Sequence, residues 1–163
     1  SPICNFSDKV WENIIDINLN TPFKMIKEVL PIMRKNKWGR IINISSAHGV
    51  VASSFKAGDV SSKHGLVGLT KVVALETAKE NITCNAIGPG FVETDLVINQ
   101  IKKILKSKKI SLQKAQNIIL EKHASKTFIK KKDMSSLSYF HCTEEASQIT
   151  GSNLIIDGGW TAK

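Results

Sequence analysis

Residues 40–49 read Arg-Ile-Ile-Asn-Ile-Ser-Ser-Ala-His-Gly. Ile41, Ile42 and Ile44 put β-branched apolar side chains on both parities of a five-residue run, which predicts a parallel strand covered on both faces. Trp38-Gly39 stops the element before it. After it, a Gly- and Ser-bearing stretch (45–58) leads to a helix over about residues 59–79. Between Leu66 and Leu75 only Lys71 is charged. A helix apolar nearly all round has to touch a sheet on one side and a second packed surface on the other. Residues 82–87 (ITCNAI) predict a second strand, closed by Gly88-Pro89-Gly90. Residues 153–157 (NLIID) predict a third, stopped by Gly158-Gly159.

Upstream, apolar residues fall at Val10, Ile14 and Ile17, then at Met25, Ile26, Val29, Leu30 and Met33. Spacings of three and four predict an amphipathic helix. Pro22 interrupts it, so either the helix kinks there or a second stretch starts with Thr21 as its cap. A Lys-rich helical region is expected over 95–122 and a short helix over 131–142. Helices alternating with strands predict an open parallel α/β sheet. Three strands are about half of what a doubly wound nucleotide fold carries.

The 163 residues are one domain's length, and an apolar share of 42% is ordinary for a globular chain. No run approaches the roughly 18 apolar residues of a membrane span. The chain opens with Ser1-Pro2, without an initiator Met or a basic-then-apolar leader, and is expected to be part of something longer. The net charge is +9, from 23 Lys and Arg against 14 Asp and Glu, but Arg34 and Arg40 are the only arginines. Arginine supplies the bidentate contacts of nucleic-acid readers. The runs at 102–109 and 130–132 are therefore expected to be solvated faces, with no nucleic-acid and no membrane partner. Cys4, Cys84 and Cys142 are odd in number and widely spaced. That predicts reduced thiols, a cytoplasmic setting and no metal site.

Residues 40–49 followed by Lys63 resemble the short-chain dehydrogenase/reductase family. Asn18-Leu19 with Phe23 matches its N-L-x-G-x-F pattern, except that Thr21 replaces Gly. Asn85 to Gly90 with Thr94 matches N-x-[IV]-x-P-G-x-x-x-T, and Ile149-Thr150-Gly151 with Asp157-Gly158-Gly159 completes the order. The resemblance extends over essentially the whole chain. It implies the C-terminal half of a Rossmann-like doubly wound parallel sheet, three strands with flanking helices. Residues 1–163 would then be a single partial domain lacking the N-terminal dinucleotide-binding half.

The resemblance also implies chemistry. Asn18 would order a proton-relay water, Ser46 would polarise the substrate oxygen, and Lys63 would bind the nicotinamide ribose. Lys63, Pro89, Gly90 and Thr94 would be the contacts to NAD. The family's catalytic Tyr belongs four residues before the Lys, and that position holds Asp59. The sole tyrosine, Tyr139, lies in a predicted helix far along the chain. A carboxylate with an ordinary value near 4 is a poor base for a hydroxyl proton, and a nearby ammonium makes it poorer. The plain alternative for Asp59 is an i,i+4 ion pair with Lys63, worth about 0.2–0.5 kcal/mol.

Residues 45–76 are most similar to the 3-hydroxybutyrate dehydrogenase branch. There a small 3-hydroxy acid is held by a His, a Lys and glutamines, positions that correspond here to His48, Lys56 and Gln100. Each has a plainer alternative: His48 capping a loop, Lys56 an ordinary surface lysine, Gln100 facing solvent. Leu66, Val67, Val73 and Leu75 are expected to be core or subunit packing. Two readings follow. One is an oxidoreductase half that is inactive alone. The other is a non-catalytic module that associates with itself, with an intact relative or with a separate N-terminal half.

Overall fold

The computed structural model describes residues 1–162. Three strands, β1 (Gly39–Ile44), β2 (Ile82–Pro89) and β3 (Asn153–Ile156), form one parallel sheet in the order β1-β2-β3. Gly39 faces Ile82, Ile44 faces Ile87, and Ala86 faces Asn153 across the ladders. All three strands therefore end at the same edge. In open parallel sheets this carboxyl edge is where ligands bind.

The helices are α1 (Asp8–Ile15), α2 (Thr21–Asn36), α3 (Ala57–Glu76), α4 (Asp95–Lys108), α5 (Leu112–Ile119) and α6 (Lys131–Cys142). Helix α3 makes the crossover from β1 to β2, and α4 to α6 fill the longer one to β3. The main core joins Ile26 and Leu30 of α2, Val73 and Ala74 of α3, and Ile41, Ile82 and Cys84 of the sheet. A satellite core holds Val97 and Ile101 of α4 against Ala115 and Ile119 of α5. The lysines of both charged runs stand exposed, as a solvated face requires.

The strand expectation holds for residues 39–43, which are buried or half-buried, while Ile44 is exposed at the strand's end. A second helical stretch does start at Thr21, but Thr21 is its first helical residue rather than its cap, and a π-helical turn (Asp16–Asn20) joins α1 to α2. Pro22 has no N–H to give the carbonyl of Asn18 four residues earlier, so the regular ladder has to widen there. This turn lies against α3. A Cβ on Gly65 would sit 2.9 Å from Leu19, and one on Gly58 would sit 3.1 Å from Ile14, so both glycines permit the close approach.

Helix α3 starts and ends two to three residues earlier than predicted. The 95–122 region is divided at Lys109, whose left-handed backbone (φ 49°) ends α4. Tyr139 is exposed on α6.

Candidate functional site

Beyond the end of β1, the chain turns sharply through a 3-10 turn (Ala47–Gly49). The Ser46 hydroxyl caps this turn by accepting the His48 N–H at 3.1 Å. Its own proton stays available for an oxygen in front of it. Cys84 of β2 is fully buried, and burial pushes its thiol up to about 12.

Helix α3 brings Asp59 beneath the turn. Asp59 Oδ2 lies 2.9 Å from His48 Nδ1, and His48 Nε2 lies 2.9 Å from Ser53 Oγ. Hydrogen bonding to His48, with the nearby charges of His48, Lys56 and Lys63, holds the Asp59 carboxyl below its usual range despite partial burial. The i,i+4 alternative is thereby corrected: Asp59 takes His48 as its partner, and Lys63 Nζ donates to the Ile44 carbonyl at 2.9 Å. Burial lowers the Lys63 ammonium and Asp59 partly offsets that. The reason is that the turn after β1 places His48 within hydrogen-bond distance of Asp59, while the long Lys63 side chain reaches the carbonyl at the end of β1.

Ser46, His48, Lys56, Asp59 and Gln100 line a single cavity of about 420 Å³, together with Gly90, Phe91 and Trp160. They come from the 47–49 turn, the start of α3 and the middle of α4, elements separated in sequence. Lys56 and Gln100 line this cavity and are at the same time solvent-exposed, so their positions fit the plainer alternatives as well as the site.

Asn18 and Lys63 line a second cavity of about 410 Å³, beside β1, with Ile44 between them. Asn18 Nδ2 donates to Ser62 Oγ at 3.2 Å, and Ser62 Oγ donates to the Asp59 carbonyl at 2.9 Å. The π turn is thus tied to the turn of α3 that carries Asp59. Pro89 ends β2 and Gly90 follows it. A Cβ on Gly90 would be driven into the His123 ring. Thr94 caps α4, its side chain accepting from Val97 N at 3.5 Å.

Sequence reasoning missed Ser53, Lys122 and His123. Lys122 Nζ donates to Ser53 Oγ at 2.6 Å and sits 4.6 Å from the centre of the Trp160 ring. Trp160 stacks on Phe91 at 5.6 Å and 8°, and meets the edge of His48 at 5.2 Å. His123, fully buried, accepts the Phe91 N–H on Nε2 at 2.9 Å, while its Nδ1 faces the Thr127 carbonyl. Lys122 stands at the end of a lysine-rich region, where no spacing distinguishes it from its neighbours.

A family model described as Enoyl-(Acyl carrier protein) reductase matches residues 1–161. A D-beta-hydroxybutyrate dehydrogenase of Rhizobium meliloti (strain 1021) is 44% identical over 160 residues, covering 98% of this chain and 62% of that protein. One from Cupriavidus necator is 42% identical with the same coverage. The solved structure of a 4-hydroxyisoleucine dehydrogenase complexed with NADH superposes with a TM-score of 0.89 at 35% identity. That match covers 100% of this chain and 64% of that one. The chain thus spans about three fifths of the length of these relatives. In sequence and in the fold of its sheet and helices, it belongs to the short-chain dehydrogenase/reductase family.

Proposed function

We propose that residues 1–163 carry the substrate and proton-handling part of an NAD-dependent oxidoreductase acting on a small 3-hydroxy acid such as 3-hydroxybutyrate, and that this part is inactive alone. The observation that carries the reading is the single cavity lined by Ser46, His48, Lys56, Asp59 and Gln100 at the carboxyl edge of the sheet. Lys56 is a cation for a carboxylate, and Gln100 is an amide for the oxygens beside it. Lys122, with its ammonium over Trp160, adds a second cation to the same cavity.

Lys63 fits a nicotinamide ribose: it gives one of its three N–H groups to the Ile44 carbonyl and keeps two for a diol. NAD, when bound, is the acceptor of the substrate's hydride. Ser46, its oxygen already engaged by the His48 N–H, donates its proton to the substrate oxygen and orients it. Asn18 braces the Asp59 turn of α3 through Ser62. Asp59 is a poor acceptor for the substrate's proton, because its carboxylate is held ionised by His48.

The pyrophosphate of a dinucleotide calls for a glycine-rich turn at a helix N-terminus. The family places this turn ahead of the matched region. Calorimetry with NAD is therefore expected to give no saturable binding at micromolar dinucleotide. Acetoacetate is expected to bind weakly, and Lys56→Ala is expected to weaken it further. Micromolar NAD affinity, or NADH production from 3-hydroxybutyrate by this chain alone, would overturn the inactive reading. Indifference of acetoacetate binding to Lys56→Ala would overturn the substrate assignment.

A second reading, an association module, is favoured by one observation. Phe23, Val72 and Leu75 stand 51%, 52% and 79% exposed on neighbouring helices α2 and α3. Apolar exposure of this kind on two adjacent helices marks an interaction surface.

A further inference from the structure

Four side chains in the 420 Å³ cavity form one directional hydrogen-bonded chain. Asp59 Oδ2 faces His48 Nδ1 at 2.9 Å, His48 Nε2 faces Ser53 Oγ at 2.9 Å, and Lys122 Nζ donates to Ser53 Oγ at 2.6 Å. In the neutral ring, the proton that Asp59 accepts sits on Nδ1, so Nε2 is the acceptor for the Ser53 hydroxyl. A carboxylate fixing the tautomer of a histidine that in turn accepts a serine proton is the connectivity of nucleophilic acyl transfer. It is recognised by geometry rather than by position in the chain. Nothing in the oxidoreductase reading uses Ser53.

We infer that Ser53 is the nucleophile of a second, cofactor-independent activity in this cavity: hydrolysis of esters of short-chain acids, with His48 as the base and Asp59 as its orienting carboxylate. Ser53 Oγ attacks the acyl carbon as its proton passes to His48 Nε2. The acyl C–O bond breaks, and His48 returns the proton to the departing alcohol oxygen. Water then attacks the acyl-Ser53 ester, giving a proton to His48, and the Ser53–acyl bond breaks as Oγ takes that proton back. Ester and water become acid and alcohol, and no electrons are exchanged with a cofactor. The carbonyl oxygen of an acyl group on Ser53 lies two bonds from Oγ. The Lys122 ammonium, 2.6 Å from Ser53 Oγ and 4.6 Å from the centre of the Trp160 ring, is a cation within reach of the developing oxyanion. Asp59 stands where the family pattern has its catalytic Tyr, and it completes the relay.

The test needs neither dinucleotide nor hydroxy acid, so its outcome is separate from that of the oxidoreductase reading. The 163-residue chain is treated with p-nitrophenyl acetate and, in parallel, with a fluorophosphonate, followed by peptide mass mapping. A nitrophenolate burst and a phosphonyl adduct on Ser53 are expected. Ser53→Ala should remove both, and Asp59→Asn should slow labelling by about 100-fold or more. Circular dichroism of each variant establishes that it is folded; Ser53 lies in a half-exposed loop outside the core. An unlabelled Ser53 in folded chain, acylation confined to lysines, or a labelling rate indifferent to Asp59→Asn would each overturn the inference.

Discussion

A carboxylate at position 59 meets an imidazole, and the consequence is measurable as a pH dependence. Its hydrogen bond to His48 and the surrounding positive charges lower the Asp59 value in the folded state below the ordinary 3.8. A group depressed on folding stabilises the fold above its unfolded value, and that contribution is lost as pH falls through the folded value. Asp59→Asn is expected to cost about 1 kcal/mol near pH 6, a modest figure because the carboxylate is partly solvated. The difference from the parent should shrink as pH falls below the ordinary carboxylate value and be lost as it passes through the lower folded value. Urea unfolding midpoints at several pH values check this, and a constant difference across the range would contradict it. Cys84 offers a second residue-scale expectation. Burial holds its thiol at about 12, whereas Cys4 and Cys142 are exposed. At pH 8 a thiol reagent should titrate two groups promptly and the third only on unfolding. Three equally fast thiols would show that the sheet does not shield Cys84. The motif residues were legible in the sequence, but the partner of Asp59 was not. An i,i+4 rule counts only neighbours on one helix, and His48 arrives from a turn.

At the scale of elements, the join between β1 and α3 decides how the site is presented. Asn43 Nδ2 donates to Thr70 Oγ1 at 2.9 Å, fully buried, and Thr70 Oγ1 donates to the Leu66 carbonyl at 2.8 Å. This bond sets the height of α3 against the strand that ends at Ser46. Thr70→Val keeps the volume but leaves the Asn43 amide with only the distant Cys84 sulfur at 3.8 Å. The expected loss is about 1–3 kcal/mol in chemical denaturation. An unchanged midpoint would mean that β1 and α3 are held by apolar packing alone. The strands were readable because apolar residues on both parities leave few alternatives to a covered parallel strand. The π turn was not readable. Pro22 announces a disturbed ladder, but whether the chain kinks, caps or widens depends on what lies against it. Here Leu19 and Ile14 pack on Gly65 and Gly58 of α3, which keeps the helix continuous.

For the whole molecule, the decisive feature is surface that this chain does not cover. Phe23, Val72 and Leu75 are exposed, and β1 pairs only with β2 among the described residues. Light scattering is expected to show mass rising with concentration, and Leu75→Lys with Val72→Lys should suppress the rise. A monomer at every concentration would remove the association reading. No helix among the described residues is long and apolar enough to cross a membrane, and no cluster of metal-ligating side chains is found among them. The sequence by itself determined the parallel strands and the main helices, which follow from local periodicity and turn chemistry, while the residues expected at the carboxyl edge came from the family resemblance. Only the tertiary structure decided which of those residues touch: that Asp59 binds His48, that Lys63 turns to a carbonyl, and that Lys122 crosses from a distant helix end to Ser53. Such contacts join segments up to 69 positions apart, and the free energy that selects them resides in packing, which no local pattern encodes.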